Sequence, residues 1–149
     1  MRFLNLLKQP EIINIEFVEK RKRELVRFCQ EHDLALLYVY GSLARNRMNK
    51  LSDVDVAFLK LADKLDLNEY LVILEGLQKI FEREDIDLTD LNGAPPVLKS
   101  RILKHGKLIF SANEKCLARF RYKTIIDYLY SSHLRKTFRY YMGKALEVN

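Results

Sequence analysis

Apolar and polar residues alternate with a period that changes along this chain, and each change marks an element. From about Ile12 to Glu31, Ile15, Val18, Leu25 and Cys29 fall on one side of a helix, which predicts a first helix there. Leu34 to Tyr40 is wholly apolar, which suits a strand buried on both faces at the centre of a sheet. Gly41-Ser42 closes that run, and a short helical turn is expected after Ser42. A second strand is predicted from Asp53 to Leu59. A helix follows over about Asn68 to Phe81 carrying Leu71, Leu74 and Leu77-Gln78, then a third strand from Ile86 to Leu91. Asn92-Gly93 turns the chain, and Pro95-Pro96 opens a helix where proline costs least. That helix ends near His105-Gly106, and Lys107 to Ser111 reads as a short edge strand. The remainder reads as a long helical region with a break expected around Ser131-Ser132.

Strands that alternate with helices predict an α/β (α+β) fold: a mixed β-sheet flanked by helices, followed by a C-terminal helical extension. No repeat or flexible linker divides the chain. A single domain over residues 1–149 is expected, with a core of about 12–111 and a helical segment of about 113–149.

The chemistry concentrates between Tyr40 and Asp87. Asp53 and Asp55 are two apart at the head of a strand, so their carboxylates point to one spot. Gly41-Ser42 brings bare backbone and a hydroxyl to the end of the preceding strand. Asp87, inside the third strand, supplies another carboxylate. Gly-Ser is also a common turn, and Ser52-Asp53 can simply cap one. Aspartate is disfavoured within strands, however, so three of them there need a reason. Hard cations take oxygen ligands, and three carboxylates can hold two Mg²⁺ ions when phosphates and waters complete each shell. Asp85 is expected to be solvated at the strand's edge, and Asp90 to cap the turn that follows.

This constellation resembles the nucleotidyltransferase superfamily that includes DNA polymerase β. More narrowly, G-S-L-A-R, S-D-V-D-V and D-L-T-D-L-N-G-A-P-P are similar to the minimal nucleotidyltransferases of prokaryotes, the MNT-type antitoxins paired with HEPN-domain toxins. The resemblance covers about Leu34 to Phe110. It implies the nucleotidyltransferase fold and transfer of AMP from ATP to a hydroxyl, with a tyrosine of a HEPN-type ribonuclease toxin as acceptor. It assigns catalysis and metal binding to Asp53, Asp55 and Asp87, and nucleotide binding to Gly41, Ser42 and Arg45. The family pattern carries Gly where this chain has Asn46. Asn tolerates a left-handed backbone, so the loop shape is expected to survive.

Composition narrows the setting. Apolar residues at 48% and charged residues at 31% are ordinary for a soluble domain, and no run is long enough to span a bilayer. A cytoplasmic protein without leader or membrane anchor is expected. Cys29 and Cys116 read as single core residues rather than a disulfide. Net charge is +6, and the segment after Ala112 holds eight Lys or Arg against three acids, a balance of +5, with seven of the sixteen aromatics. Such a segment is either an amphipathic helix with its aromatics inward under cationic stems, or a docking surface for an acidic protein or RNA. Oligomerisation, with itself or with a partner, stays open. Two other functions also stay open: a non-catalytic binder that silences a partner, and a subunit of a small-molecule or RNA nucleotidyltransferase.

Overall fold

The computed structural model describes residues 12–62 and 64–147. The apolar run Leu34–Tyr40 forms strand β1 and is buried along nearly its whole length. It pairs antiparallel with β2 (Val54–Lys60) on one side. On the other it pairs antiparallel with β4 (Lys107–Ser111), the edge strand expected there. Strand β3 (Ile86–Asp90) adds parallel to β2, which gives the order β3-β2-β1-β4. A parallel neighbour requires a crossover, and helix α4 (Leu67–Phe81) provides it. Its start is fixed by a capping box in which Asp66 accepts from the Glu69 N–H and Glu69 reaches back to the Asp66 N–H.

Helices cover both faces of the sheet. On one, Leu37, Val39, Val56, Phe58 and Leu88 pack against Ile73 and Leu77 of α4 and against Leu25 and Cys29 of α2 (Lys22–Glu31). On the other, Leu36, Tyr38 and Ala57 meet Ile102 of α5 (Pro96–His105) and Phe120 of α6 (Glu114–Glu147). Period-2 alternation along β2 therefore assigns Asp55 to the face under α5 and α6, because Val54 and Val56 face the opposite core.

Two expectations are corrected and one is completed. The first helix is two: α1 (Ile15–Lys20) begins only after the Asn14 side chain caps the Phe17 N–H, and Arg21 breaks the turn before α2. In α4 the inward line is Ile73, Leu77 and Ile80, whereas Leu71 is exposed. Those three recur at i, i+4 and i+7 and set the helix phase, which turns Leu71 outward. Finally, α6 runs unbroken through Ser131-Ser132. The Ser131 hydroxyl donates to the Tyr128 carbonyl at 3.2 Å and accepts from Arg135 at 2.9 Å, so its polar group is satisfied within the helix. Both cysteines are free, as expected, with Cys29 in the core. No helix among the described residues is long and apolar enough to cross a membrane.

The packing separates residues that carry the fold from those that do not. Phe58, fully buried in β2, is expected to cost about 3–5 kcal/mol when replaced by Ala, from lost burial and the cavity left behind. Leu129 on α6 is 59% exposed, and Leu129→Ala should stay within about 0.5 kcal/mol. Urea denaturation of the two variants checks both values.

Candidate active site

The pairing register brings the carboxylates together. Asp55 of β2 lies opposite Tyr40 of β1 on one side and opposite Asp87 of β3 on the other. Asp55 is half-buried, whereas Asp53, just before the strand, and Asp87 are exposed at the mouth. Burial first, then the nearby charges of Asp87 and Asp53 and a hydrogen bond with Asp87, together push the Asp55 carboxyl up to about 6.

Gly41 closes the site from the β1 side. Its φ is +65°, and a Cβ there would stand 2.1 Å from an Asp55 carboxylate oxygen, so both backbone conformation and space require glycine. It opens the short helix α3 (Gly41–Ala44), whose first turn contains Ser42 and whose leading N–H groups have no acceptor within the helix. Arg45 follows that helix, exposed and without an ion pair among the described residues. Asn46 adopts φ +56°, the left-handed conformation its side chain tolerates, and the loop turns there as expected.

Sequence reasoning missed the groups that hold this loop. Asn49 Oδ1 accepts from the Leu51 N–H at 2.8 Å and from the Ser52 hydroxyl at 3.1 Å, and the Ser52 hydroxyl also pairs with the Asn49 N–H. Arg83 is the larger omission. Its guanidinium, with the side chain 4% exposed, grips both oxygens of Asp85, through Nε at 2.7 Å, and donates to the Ser52 carbonyl at 3.1 Å. Asp85 is therefore half of a fork-shaped ion pair and not the solvated residue expected. The pair ties the residue before Asp53 to the head of the strand that carries Asp87, and the Val54 N–H adds a bond to the Asp85 carbonyl at 3.0 Å. An Arg two residues from an Asp is the only trace of this in the sequence. Asp90 does cap the next turn, accepting from Asn92 N–H at 3.0 Å.

Two tyrosines brace strand β3, one from β1 and one from the helix on the opposite face. The Tyr40 hydroxyl reaches across β2 to Thr89 Oγ1 of β3 at 2.8 Å, and Tyr70 of α4 donates to the Leu88 carbonyl at 2.7 Å. Burial raises the pKa of both, and the Asp87 charge raises it further.

The donor set fits a hard divalent cation: the Asp55 and Asp87 carboxylates meet, and the charges of Asp87 and Asp53 raise the proton affinity of Asp55 for want of a positive charge. Among the described residues no group of three or more His, Cys, Asp or Glu side chains is placed to hold a metal ion. An ion held by Asp55 and Asp87 would take its remaining ligands from phosphate or water, as Mg²⁺ in nucleotide sites does.

The family model of polymerase β nucleotidyltransferases matches residues 23–115, which span the sheet, the glycine loop and all three carboxylates. The chain belongs to that family. It is 32% identical over 81 residues to the protein adenylyltransferase MntA of Shewanella oneidensis, covering 54% of this chain and 57% of that protein. It thus spans little more than half the length of that curated relative. Among solved structures, a toxin–antitoxin crystal structure with AMP-PNP superposes with a TM-score of 0.65 at 23% identity, over 84% of this chain and 98% of that one. A tri-AMPylated Shewanella oneidensis HEPN toxin in complex with MNT antitoxin gives 0.62 at 22% identity, over 86% and 98%. At such identities the structures establish the nucleotidyltransferase fold, including the long C-terminal helix that follows the sheet.

A carboxyl whose folded pKa lies above its ordinary value stabilises the fold below that ordinary value and loses the contribution as pH rises through the folded pKa. For Asp55 the window runs from its ordinary 3.8 to about 6. In metal-free protein Asp55→Asn is therefore expected to be more stable than wild type above pH 7, by about 1 kcal/mol once solvent screening of this partly exposed group is allowed for. The difference should vanish below pH 4. Thermal denaturation in EDTA at the two pH values measures it, and a gap that is larger at low pH contradicts the assigned environment.

Proposed function

We propose that this chain is a Mg²⁺- and ATP-dependent protein adenylyltransferase that modifies a HEPN-type ribonuclease toxin and thereby acts as its antitoxin in the cytoplasm. The observation that carries the reading is Asp55 flanked in register by Tyr40 and Asp87, with Gly41 pressed against its carboxylate. The names of the relative and of the solved complexes support the acceptor class.

Asp53, Asp55 and Asp87 are the residues that would hold Mg²⁺. When bound, the metal would supply charge neutralisation for the triphosphate and leaving pyrophosphate and would lower the pKa of the attacking hydroxyl. Gly41 lets phosphate oxygens approach backbone N–H groups that no Cβ shields, and the Ser42 hydroxyl adds a donor. Arg45, with no carboxylate partner among the described residues, serves as a counter-charge for the phosphates. The acceptor oxygen attacks the α-phosphorus, the bond to the β-phosphate oxygen breaks, and pyrophosphate leaves. Asp87, exposed at the mouth, takes the hydroxyl proton. Arg83 acts at a distance by fixing the approach to Asp53.

Replacing Asp53 or Asp55 by Asn should cut transfer on the order of 10³-fold or more, while the protein still folds. The assay is intact mass of a HEPN-type protein co-expressed with this chain and purified under denaturing conditions. One or more added AMP groups are expected with wild type and none with either variant. A toxin neutralised yet unmodified by wild type would reverse the reading in favour of a stoichiometric binder.

A further inference from the structure

Beyond Thr124 no residue of α6 is buried, although the helix continues to Glu147. Its exposed side chains include Ile126, Tyr130, Leu134, Phe138, Met142 and Leu146, each between 46% and 75% exposed. Each stands four positions after the last, so together they make one continuous ridge that winds about 40° further round the helix at each step, and a single crossing helix would meet its middle, Tyr130 to Phe138. Isolated exposed apolar residues are ordinary, but a contiguous row marks an interface. Ridges of this i+4 type interdigitate with the matching row of another helix at a crossing angle of about −50°.

The sheet register shows where this ridge leads. Strand β4 runs antiparallel to β1, with Lys107 opposite Val39 and Ser111 opposite Leu36, so α6 begins at the end of the sheet remote from the carboxylates. By Phe120 it has come level with Tyr38, the ring centres 6.2 Å apart. It therefore travels toward the Tyr40 end, over the face that carries Asp55 and Asp87. At 1.5 Å per residue, the part after Thr124 extends roughly 35 Å further.

Charge selects the occupant. Arg135 and Arg139 follow directly on the ridge residues Leu134 and Phe138, and with Lys136 and Lys144 they outnumber Asp127 and Glu147 on the exposed part. A second copy of the helix would set these cations against themselves. Nucleic acid would match the charge but leave the apolar row without a partner. An acidic helix with an apolar stripe satisfies both.

We propose that the exposed part of α6, Ile126 to Glu147, is a docking arm for an α-helix of the acceptor protein, one whose apolar i+4 row is flanked by Asp or Glu. The arm holds that protein beside the carboxylates and delivers its hydroxyl to them. The inference rests on the protein adenylyltransferase reading but is tested apart from it.

The experiment uses the full chain and the purified HEPN-type protein that the mass assay finds it to modify or neutralise. Leu134→Glu with Phe138→Glu is expected to weaken binding at least 100-fold, with Tm and Mg·AMP-PNP affinity unchanged. Arg135→Glu with Arg139→Glu should weaken it about tenfold, and less at high salt. Asp55→Asn should bind the protein normally and transfer nothing. Normal binding and AMP transfer by the ridge variant overturns the docking arm and leaves the proposed function standing. Tight, ridge-dependent binding with no transfer by wild type does the reverse. A concentration-dependent dimer of this chain that the ridge variant abolishes, or affinity for single-stranded RNA lost only in the charge variant, also overturns the arm.

Discussion

Two carboxylates brought into lateral register, with their mutual repulsion uncompensated, are the constraint around which this molecule is organised. Asp55 and Asp87 face one another across the parallel pairing of β2 and β3. Burial opposes ionisation of Asp55, and Asp87 and Asp53 oppose it further. A fold that only needed stability would place apolar residues there. The cost becomes intelligible if a cation of high charge completes the arrangement, because like charges that resist each other without metal attract a metal strongly.

The surrounding structure keeps the strained group in place. Fully buried Val54, Val56 and Phe58 anchor β2 from the opposite face, so Asp55 cannot swing away without moving the core. Gly41 takes a left-handed backbone that leaves just enough room for the Asp55 carboxylate. The guanidinium of Arg83 joins Asp85 to the Ser52 carbonyl and so fixes the approaches to both acidic strands with one buried side chain. The loop between Gly41 and Asp53 is pinned at its far end by the Asn49–Ser52 turn. A site assembled this way is rigid before any ligand arrives, which is what transfer chemistry based on positioning requires.

Much of this was legible because it follows from period and residue type. The unbroken apolar run of β1 declared its central position, Asp53 and Asp55 declared a shared face, and Asn46 stood where a left-handed residue was needed. What stayed hidden depends on partners far apart in the chain or on helix phase. Arg83 and Ser52 are separated by 31 positions, and nothing in either residue announces the other. At the break the Arg21 N–H turns to the Val18 carbonyl three residues back, a local change that apolar spacing does not report. A break in α6 was expected at Ser131-Ser132, but the Ser131 hydroxyl is satisfied within the helix instead. Its aromatics admitted either an inward or an outward reading, and the geometry turns Phe120 inward and the other six outward.

Calorimetric titration of the metal-free protein with AMP-PNP, with and without Mg²⁺, tests the central claim most directly. Performed at pH 6 in buffers of different ionisation enthalpy, it also counts protons released. Binding should require Mg²⁺ and release protons at pH 6, where Asp55 is part-protonated, and the release should disappear in Asp55→Asn. Binding of equal affinity without Mg²⁺, or an unchanged titration when Asp55 and Asp87 are both replaced by Asn, would contradict the account.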